Sequence, residues 1–327
     1  MNNELKNAQN SIIDKMIEYK KFFGQTFPIL GLKNASIEQV IEEIDNAIKT
    51  NKKFTIINII NRKSKSIIVK DKIDFKDFLN RIKESMESID YDYNITINEF
   101  NEVVSLRKQG HVFSFKEHLR ALLLAQLSNQ RWGDNNIRKH AEEIRLIFKD
   151  YDKEYLKSID ENEVFEELKR YNCCNPNTLK IIKGLKYNIS VLENIEKDYG
   201  TIDNYLNSKS EVHIASCFNE GKYKLKQVGI SLSYDYLQRV GFEICNPSYQ
   251  LKRLFSKNRI GLINREKPRK TDILALINLM SKKTGYSKLY INYLLWQFCV
   301  RAGSNICLPV PNCEFCKLKN ECNYVKN

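Results

Sequence analysis

Four cysteines with close spacing are the residues of this sequence most able to hold an inorganic centre. They follow the pattern C-x5-C-x2-C-x5-C, and thiolates so near one another in the chain can converge on one site. Zinc and a [4Fe–4S] cluster both accept four cysteines. Zinc ribbons pair two short gaps, whereas a single short gap between two longer ones favours the larger cluster. We therefore predict a [4Fe–4S] cluster, with zinc as the alternative, bound by Cys307, Cys313, Cys316 and Cys322.

The other cysteines and the apolar pattern indicate a reducing, aqueous compartment. An odd total of nine cysteines argues against a disulfide framework. The first residues, MNNELKNAQN, are polar and include an acid, unlike a signal peptide, and no stretch approaches the ~20 apolar residues of a membrane helix. We expect a cytoplasmic protein with no membrane partner, and a monomer. The cysteines expected to be ordinary buried thiols are Cys173, Cys174, Cys217, Cys245 and Cys299.

The charge balance points to a polyanionic partner. The sequence holds 53 Lys and Arg against 40 Asp and Glu, a formal charge of +13. Such an excess favours nucleic acid over a membrane surface. A chain rich in Lys, Asn and Ile also arises from an AT-rich genome, so the charge alone leaves both explanations open.

A second informative stretch runs from Lys222 to Gly241. Its pattern predicts a short helix, a tight turn, and a longer helix that begins after Gly229. A glycine directly before a helix leaves the unpaired amides of the first helical turn exposed, and a phosphate can bind there. The alternative is a helix–turn–helix corner that serves only in packing.

The order of three features resembles that of the helix-hairpin-helix DNA glycosylases of the endonuclease III family. The features are this turn, a Pro-containing loop at 246–254 and the four-cysteine loop at the end. The segment Leu122-Leu-Leu-Ala-Gln-Leu-Ser128 is also similar to a helix of that family. The resemblance covers residues 105–327, although the first gap between the cysteines is one residue shorter than in the family. It implies a mainly α, two-lobed glycosylase fold that ends in the cluster loop. It also implies DNA as the partner and hydrolysis of an N-glycosidic bond as the activity.

The same resemblance implies roles for residues near the turn. Val228 and Gly229 match the family's turn, while Gln227 replaces its first glycine. Ser231 stands where bifunctional members carry a Schiff-base lysine, which implies hydrolysis without strand cleavage. Gln126 matches a glutamine that fills the gap left by an extruded base, and the alternative is a capped polar residue at a helix end. The cations assigned to phosphate binding are Lys252, Arg253, Lys257, Arg259, Lys317 and Lys319.

The catalytic acid is where the sequence departs from the family. The family's aspartate stabilises the positive charge that develops on the sugar, and it aligns with Ser248. A serine hydroxyl cannot carry that charge, which leaves three explanations. Another residue supplies the acid, with Asp235, Asp134 and Glu243 as candidates, or the chain is a binding-only relative, or it is a deliberately inactivated variant. Trp132 is a candidate for the base pocket, where it could stack on an extruded base, and the alternative places it in the core.

The elements that must position these residues divide the chain into three predicted parts. Residues 1–104 are predicted to form a small N-terminal α+β extension that includes a β-hairpin over 54–69. Residues 105–302 are predicted to form the helical glycosylase domain, and residues 303–327 the cluster loop.

Helical periodicity is clearest in four segments. Apolar residues recur with the period of an α-helix after Ser36, over Phe75–Met86 and over Phe115–Leu127. The stretch Ser287–Val300 is apolar enough to predict a buried helix.

Three functions remain open from the sequence. The first is a monofunctional DNA glycosylase with a [4Fe–4S] cluster, which removes a damaged, mismatched or modified base in base excision repair or in antiviral defence against base-modified phage DNA. The second is a catalytically inactive DNA-binding relative that kept the turn and the cluster but lost the acid at position 248. The third is a zinc-ribbon protein of unrelated function.

Overall fold

The computed structural model describes residues 14–23, 37–49, 73–128, 133–209 and 211–326. These residues form helices joined by turns, and they contain no β-strand. The prediction of a mainly α protein is therefore confirmed for this part of the chain. The β-hairpin predicted over 54–69 lies outside the described residues. None of the described helices is both long enough and apolar enough to cross a membrane.

The chain divides into two compact units, 1–67 and 68–327. In the first unit, α1 (14–23) and α2 (Ile37–Lys49) each bury one apolar face. The amphipathic helix predicted after Ser36 is thereby confirmed. The buried residues of this small core are Tyr19, Val40, Ile44 and Ala47.

The second unit is built from helices connected by short turns. In chain order they are α3 (Phe75–Glu87), α4 (Asn94–Lys108), α5 (Phe115–Leu127), α6 (Gly133–Lys139), α7 (Ala141–Ile147), α8 (Lys153–Lys157), α9 (Glu161–Arg170), α10 (Thr178–Tyr199), α11 (Ile202–Asn207), α12 (Glu211–Ile214), α13 (Ile230–Arg239), α14 (Tyr249–Phe255), α15 (Lys270–Thr284), α16 (Lys288–Cys299) and α17 (Asn323–Lys326).

Helix α5 lies at the centre of one hydrophobic core, to which the segments between α5 and α13 contribute. It begins at a capping box in which Ser114 and Glu117 satisfy each other's backbone amides. Leu119, Leu122 and Leu123 are fully buried, and the helix packs against α10 and α13. The helix predicted over Phe115–Leu127 is confirmed.

Helix α16 holds a second group of helices together. It packs against α3, α4, α14 and α15, and Leu294, Leu295 and Phe298 are fully buried, which confirms the predicted buried helix. Helices α3 and α4 were predicted to belong to the N-terminal extension. They lie in the second unit because the apolar face of α3 packs on α16, so the compact units divide after residue 67 and not after residue 104.

A buried ionic network connects α4, α5, α11 and α13. Arg107 Nη2 lies 2.7 Å from Asp203 Oδ1, and Arg107 Nε donates to Val240 O at 2.5 Å. His118 Nε2 is 3.2 Å from Asp203 Oδ1, and His118 Nδ1 is 2.7 Å from the Tyr236 hydroxyl. Burial alone would raise the pKa of Asp203, but hydrogen bonds from His118 and Arg107 outweigh it and hold that pKa below its ordinary value.

Candidate functional site

A tight turn forms at residues 226–229, as predicted. The short helix predicted to precede this turn, from Lys222, is absent from the described structure. Residues 222–227 are turns or irregular, and the helical segments that precede them are α12 and a 3-10 turn at Ser216–Phe218. Gln227 adopts a left-handed backbone with φ of 56°. Helix α13 then begins after Gly229, whose N-cap position has no side-chain hydrogen bond. The first amides of α13 are therefore left uncapped, as anion binding requires.

The turn is fixed through the main chain of Lys226. Asn188 of α10 donates from Nδ2 to Lys226 O at 3.0 Å and accepts from Lys226 N at 2.7 Å. Gln126 of α5 donates from Nε2 to the same carbonyl at 3.1 Å. Gly184 allows the close approach, because a Cβ atom there would lie 3.2 Å from Lys226 Cβ. Two helices of the core thus determine where the turn lies.

Gln126 is fully buried beneath this turn. The resemblance implied that it fills the gap left by an extruded base, which requires a side chain that reaches DNA. In the structure its amide supports the turn from the inside, because the helix that carries it lies at the centre of the core. In this structure Gln126 contacts the turn, and its role in filling the gap left by a base stays a prediction.

We expect Asn188→Ala to lower the free energy of unfolding by about 1–3 kcal/mol, since it removes the two hydrogen bonds that the buried Asn188 side chain makes with the main chain of Lys226. Urea denaturation measures the change. Asn162→Ala, at an exposed position on α9, is the control and should leave the denaturation midpoint unchanged. Equal midpoints for the two variants would show that Asn188 does not hold the turn.

A groove of about 660 Å³ opens beside the turn. Its lining contains two lysines, Lys224 and Lys226, and no carboxylate. Both lysines are exposed. A groove with this charge favours an anionic ligand. The lining residues are Tyr187, Lys224, Leu225, Lys226, Gln227, Val228, Gly229, Ser231 and Leu232.

The Pro-containing loop is joined to the start of α13. Asn246 Nδ2 donates to both the carbonyl and the hydroxyl oxygen of Ser231 at 3.1 Å. Asn246 N donates to Asn292 Oδ1 of α16 at 3.0 Å. The loop therefore lies close to the exposed Ser231.

The residues predicted to supply the catalytic acid have different surroundings. Ser248 is the N-cap of α14, where its Oγ accepts from Leu251 N at 3.4 Å. Asp235 lies one helical turn after Ser231 on α13, with Oδ2 3.2 Å from Arg239 Nε and Oδ1 3.3 Å from the Tyr293 hydroxyl. Its side chain is 20% exposed, and it shares helix α13 with Ser231, which contacts the Pro-containing loop through Asn246.

The other candidates contribute less to this region. Glu243 pairs with Lys108 at 2.9 Å. Asp134 lies in α6, but its side chain is outside the described part of the molecule, as is Trp132. Their predicted roles stay predictions.

Two of the predicted phosphate-binding arginines have structural contacts. Arg253 Nη2 donates to Cys299 O at 2.9 Å and to Cys307 O at 2.7 Å. Arg259 is 7% exposed and donates to Pro309 O at 2.7 Å. Lys252 differs, because it lies beside a second cation, Lys270, and burial together with that cation lowers the pKa of Lys252.

The four-cysteine loop is anchored to the helices around α16. Cys307 N donates to Phe298 O at 2.9 Å, at the end of α16. On α3, the Ser85 hydroxyl accepts from Lys317 N at 2.9 Å. Arg81, also on α3, lies 2.7 Å from Glu321. The loop is thus attached at both ends of its cysteine pattern.

The four cysteine sulfurs share one electrostatic environment. Burial raises the pKa of Cys316 to about 11, and the charge of Cys307 adds to that increase. Burial and then Cys307 likewise raise the pKa values of Cys313 and Cys322. Cys299 was predicted to be an ordinary buried thiol. It hydrogen-bonds to Cys307, and this contact lowers the pKa of Cys307.

The donor chemistry of this loop suits a metal centre. Among the described residues, no group of three or more His, Cys, Asp or Glu side chains is arranged around a single metal ion. A [4Fe–4S] cluster places its four thiolates on different iron atoms, so its ligands stand farther apart than those of a single metal ion. The loop offers four thiols, the number of thiolates that such a cluster takes, and the positive charge of Arg259 acts on three of them, Cys307, Cys313 and Cys322.

Four contributors to the site were not predicted from the sequence: Asn188, Gly184, Tyr187 and Lys224. Asn188 and Gly184 fix the turn from α10, and Tyr187 between them lines the groove. Nothing in their spacing distinguishes them from the surface of an ordinary helix. Lys224 could have been selected for its positive charge, but nothing in the sequence distinguishes it from the many other lysines of the chain.

Comparison with known proteins adds no name to this site, because no family model, curated protein or solved structure matches the chain.

Proposed function

We propose that this protein is a monofunctional DNA glycosylase that hydrolyses the N-glycosidic bond of a damaged, mismatched or modified base. The observation that carries the proposal is the positively lined groove at the uncapped start of α13, to which Asn246 joins the Pro-containing loop. A base inside a duplex cannot be attacked, so such an enzyme must hold the DNA backbone next to its acid. In this chain the groove would hold the DNA backbone and Asp235 would be the acid.

The phosphate contact would use backbone amides together with lysines. Amides at a helix start and the helix dipole favour an anion, and Lys224 adds a full charge at the same groove. The turn is attached to α5 and α10, so a phosphate bound there would have a fixed position relative to the hydrophobic core. A rigid backbone contact sets the register of the DNA without reading its sequence.

The chemistry would depend on Asp235. A carboxylate stabilises the positive charge that develops on the sugar as the glycosidic bond breaks, and it can orient the attacking water. Ser231 offers no amine, so no Schiff base forms at that position and the strand stays intact. Ser248 caps α14 and leaves the acid function to another residue.

The cysteine loop would hold a [4Fe–4S] cluster through Cys307, Cys313, Cys316 and Cys322. When bound, the cluster would cross-link the loop and fix its lysines, Lys317 and Lys319, relative to α3. Zinc is the alternative occupant.

A second candidate function, DNA binding without catalysis, has one specific observation in its favour. The carboxylate of Asp235 is already compensated by Arg239 at 3.2 Å and by the Tyr293 hydroxyl at 3.3 Å. A carboxylate held in this way has less charge to offer a sugar cation. Release of a free base from DNA separates the two functions.

The phosphate contact predicts how salt weakens DNA binding. We expect Lys224→Ala to reduce the slope of log affinity against log salt concentration by about 1, since one phosphate contact is lost. Fluorescence anisotropy with a labelled duplex at several salt concentrations measures the slope. Lys169→Ala is the control, because Lys169 is paired with Glu166 on α9 and lies outside the groove lining. The same slope in both variants would contradict a phosphate at this groove.

A further inference from the structure

The groove beside the turn contains an aromatic ring that phosphate binding does not require. Tyr187 projects from α10 into the lining of the groove and is 43% exposed. Lys226 Nζ lies 4.5 Å from the centroid of its ring. Proteins that bind single-stranded nucleic acid stack bases on aromatic rings beside cations, and Tyr187 offers such a ring.

The position of this ring is fixed relative to the turn. Its sequence neighbour Asn188 holds both the amide and the carbonyl of Lys226, and Gly184, one helical turn earlier, lets the Lys226 side chain approach α10. The ring and the cation over it therefore belong to two segments that are hydrogen-bonded to each other. A stacking surface of this kind loses little entropy when a ligand binds.

The size and charge of the groove restrict the ligand. The open groove has a volume of about 660 Å³, which leaves room for one nucleotide unit. The lysines of the lining, without any carboxylate, favour a phosphodiester. The ring demands a ligand with a free aromatic face, and a base stacked within a duplex has none.

We propose that this groove binds one nucleotide with an unpaired base, which stacks on Tyr187 while its phosphate contacts Lys224. The inference rests on the proposed function and deepens it: the preferred DNA is single-stranded or locally unpaired at the groove. Stacking on an aromatic side chain contributes about 1–3 kcal/mol per base, which corresponds to a factor of about 5–150 in affinity.

The test compares two single-stranded oligonucleotides of equal length on the full chain. One is oligothymidylate and the other carries abasic sugars throughout, so that both present the same phosphates. Anisotropy titration of the wild-type protein should give about 5- to 150-fold tighter binding of oligothymidylate. Tyr187→Ala should remove this preference, and Tyr187→Phe should keep it. Tyr199→Ala is the matched control, because Tyr199 is also exposed, at 36%, at the end of the same helix and lies outside the groove lining.

The outcomes separate this inference from the proposed function. If Tyr187→Ala keeps the wild-type preference while Lys224→Ala lowers the salt slope, a phosphate binds at the groove but no base stacks on Tyr187, and the inference is wrong. If the wild-type protein binds neither the oligonucleotides nor a duplex, both the inference and the proposed function are wrong. Far-UV circular dichroism of the Tyr187→Ala variant should match the wild type, since the ring is partly exposed.

Discussion

Arg107→Met is expected to lower the free energy of unfolding by about 3–5 kcal/mol, because it leaves the buried carboxylate of Asp203 without its main cation. The guanidinium lies 2.7 Å from Asp203 Oδ1, and the side chain of Asp203 is 3% exposed. The substitution also removes the hydrogen bond to Val240 O and the stacking of the guanidinium between two rings, Phe113 at 4.8 Å and Phe242 at 4.1 Å. Urea denaturation followed by circular dichroism measures the loss.

Arg145→Met is the control for this prediction. Arg145 Nη2 also contacts a carboxylate, Glu142 at 2.6 Å, but both side chains are exposed, so the denaturation midpoint should barely change. If both arginine variants unfold at the same urea concentration, the buried pair does not stabilise the fold.

The pH dependence of stability gives a second readout of the same network. The pKa of Asp203 is lower in the folded protein than in the unfolded chain, so protonation favours unfolding. Its stabilising contribution is present above about pH 4, the ordinary aspartate value, and is lost as the pH falls through the lowered folded pKa. In Arg107→Met the folded pKa is less depressed, so this part of the acid sensitivity should shrink.

Cys313→Ala is expected to abolish stable binding of the inorganic centre. Changes to groups around metal ligands already reduce metal affinity by about 10–100-fold, so removal of a ligand should cost at least that much. Iron and zinc content, measured after purification and a challenge with chelator, should fall by about tenfold or more. The broad visible absorbance of an iron–sulfur cluster should disappear with the iron.

The cysteine variant should also destabilise the packing around α3. Lys317 and Glu321 connect the loop to Ser85 and Arg81, and these contacts depend on the path of the loop. Cys174→Ala is the matched control, because Cys174 is a half-buried thiol outside the loop. Unchanged metal content in Cys313→Ala, or an equal loss in both variants, would contradict the assignment of the loop as a metal centre.

Local pattern was sufficient to predict the helices that position the site. Helix α5 follows from leucines repeated with the helical period, and α16 follows from an almost continuous apolar stretch. The start of α13 was predicted because Gly229 precedes it. The prediction of a short helix from Lys222 was wrong. The last helical segment before the turn is the 3-10 turn at Ser216–Phe218, and Gly221, with φ of 79°, is followed by turns instead of a helix.

Roles that depend on distant contacts could not be predicted from the sequence. Gln126 supports a carbonyl 100 positions later, at Lys226, and Arg107 pairs with Asp203, 96 positions later. Arg253 resembled a phosphate ligand, yet it joins the carbonyls of Cys299 and Cys307. Charge and side-chain type are local properties, whereas burial depends on which helices meet.

The release of a free base from DNA tests the central claim most directly. The protein is incubated with duplexes that contain normal, damaged or phage-type modified bases, and the small molecules released are identified by mass spectrometry. We expect one class of base to appear together with intact strands that carry abasic sites, and Asp235→Asn to abolish its release. Tight DNA binding with no base released from any duplex would contradict a glycosylase and would assign the chain to DNA binding without catalysis.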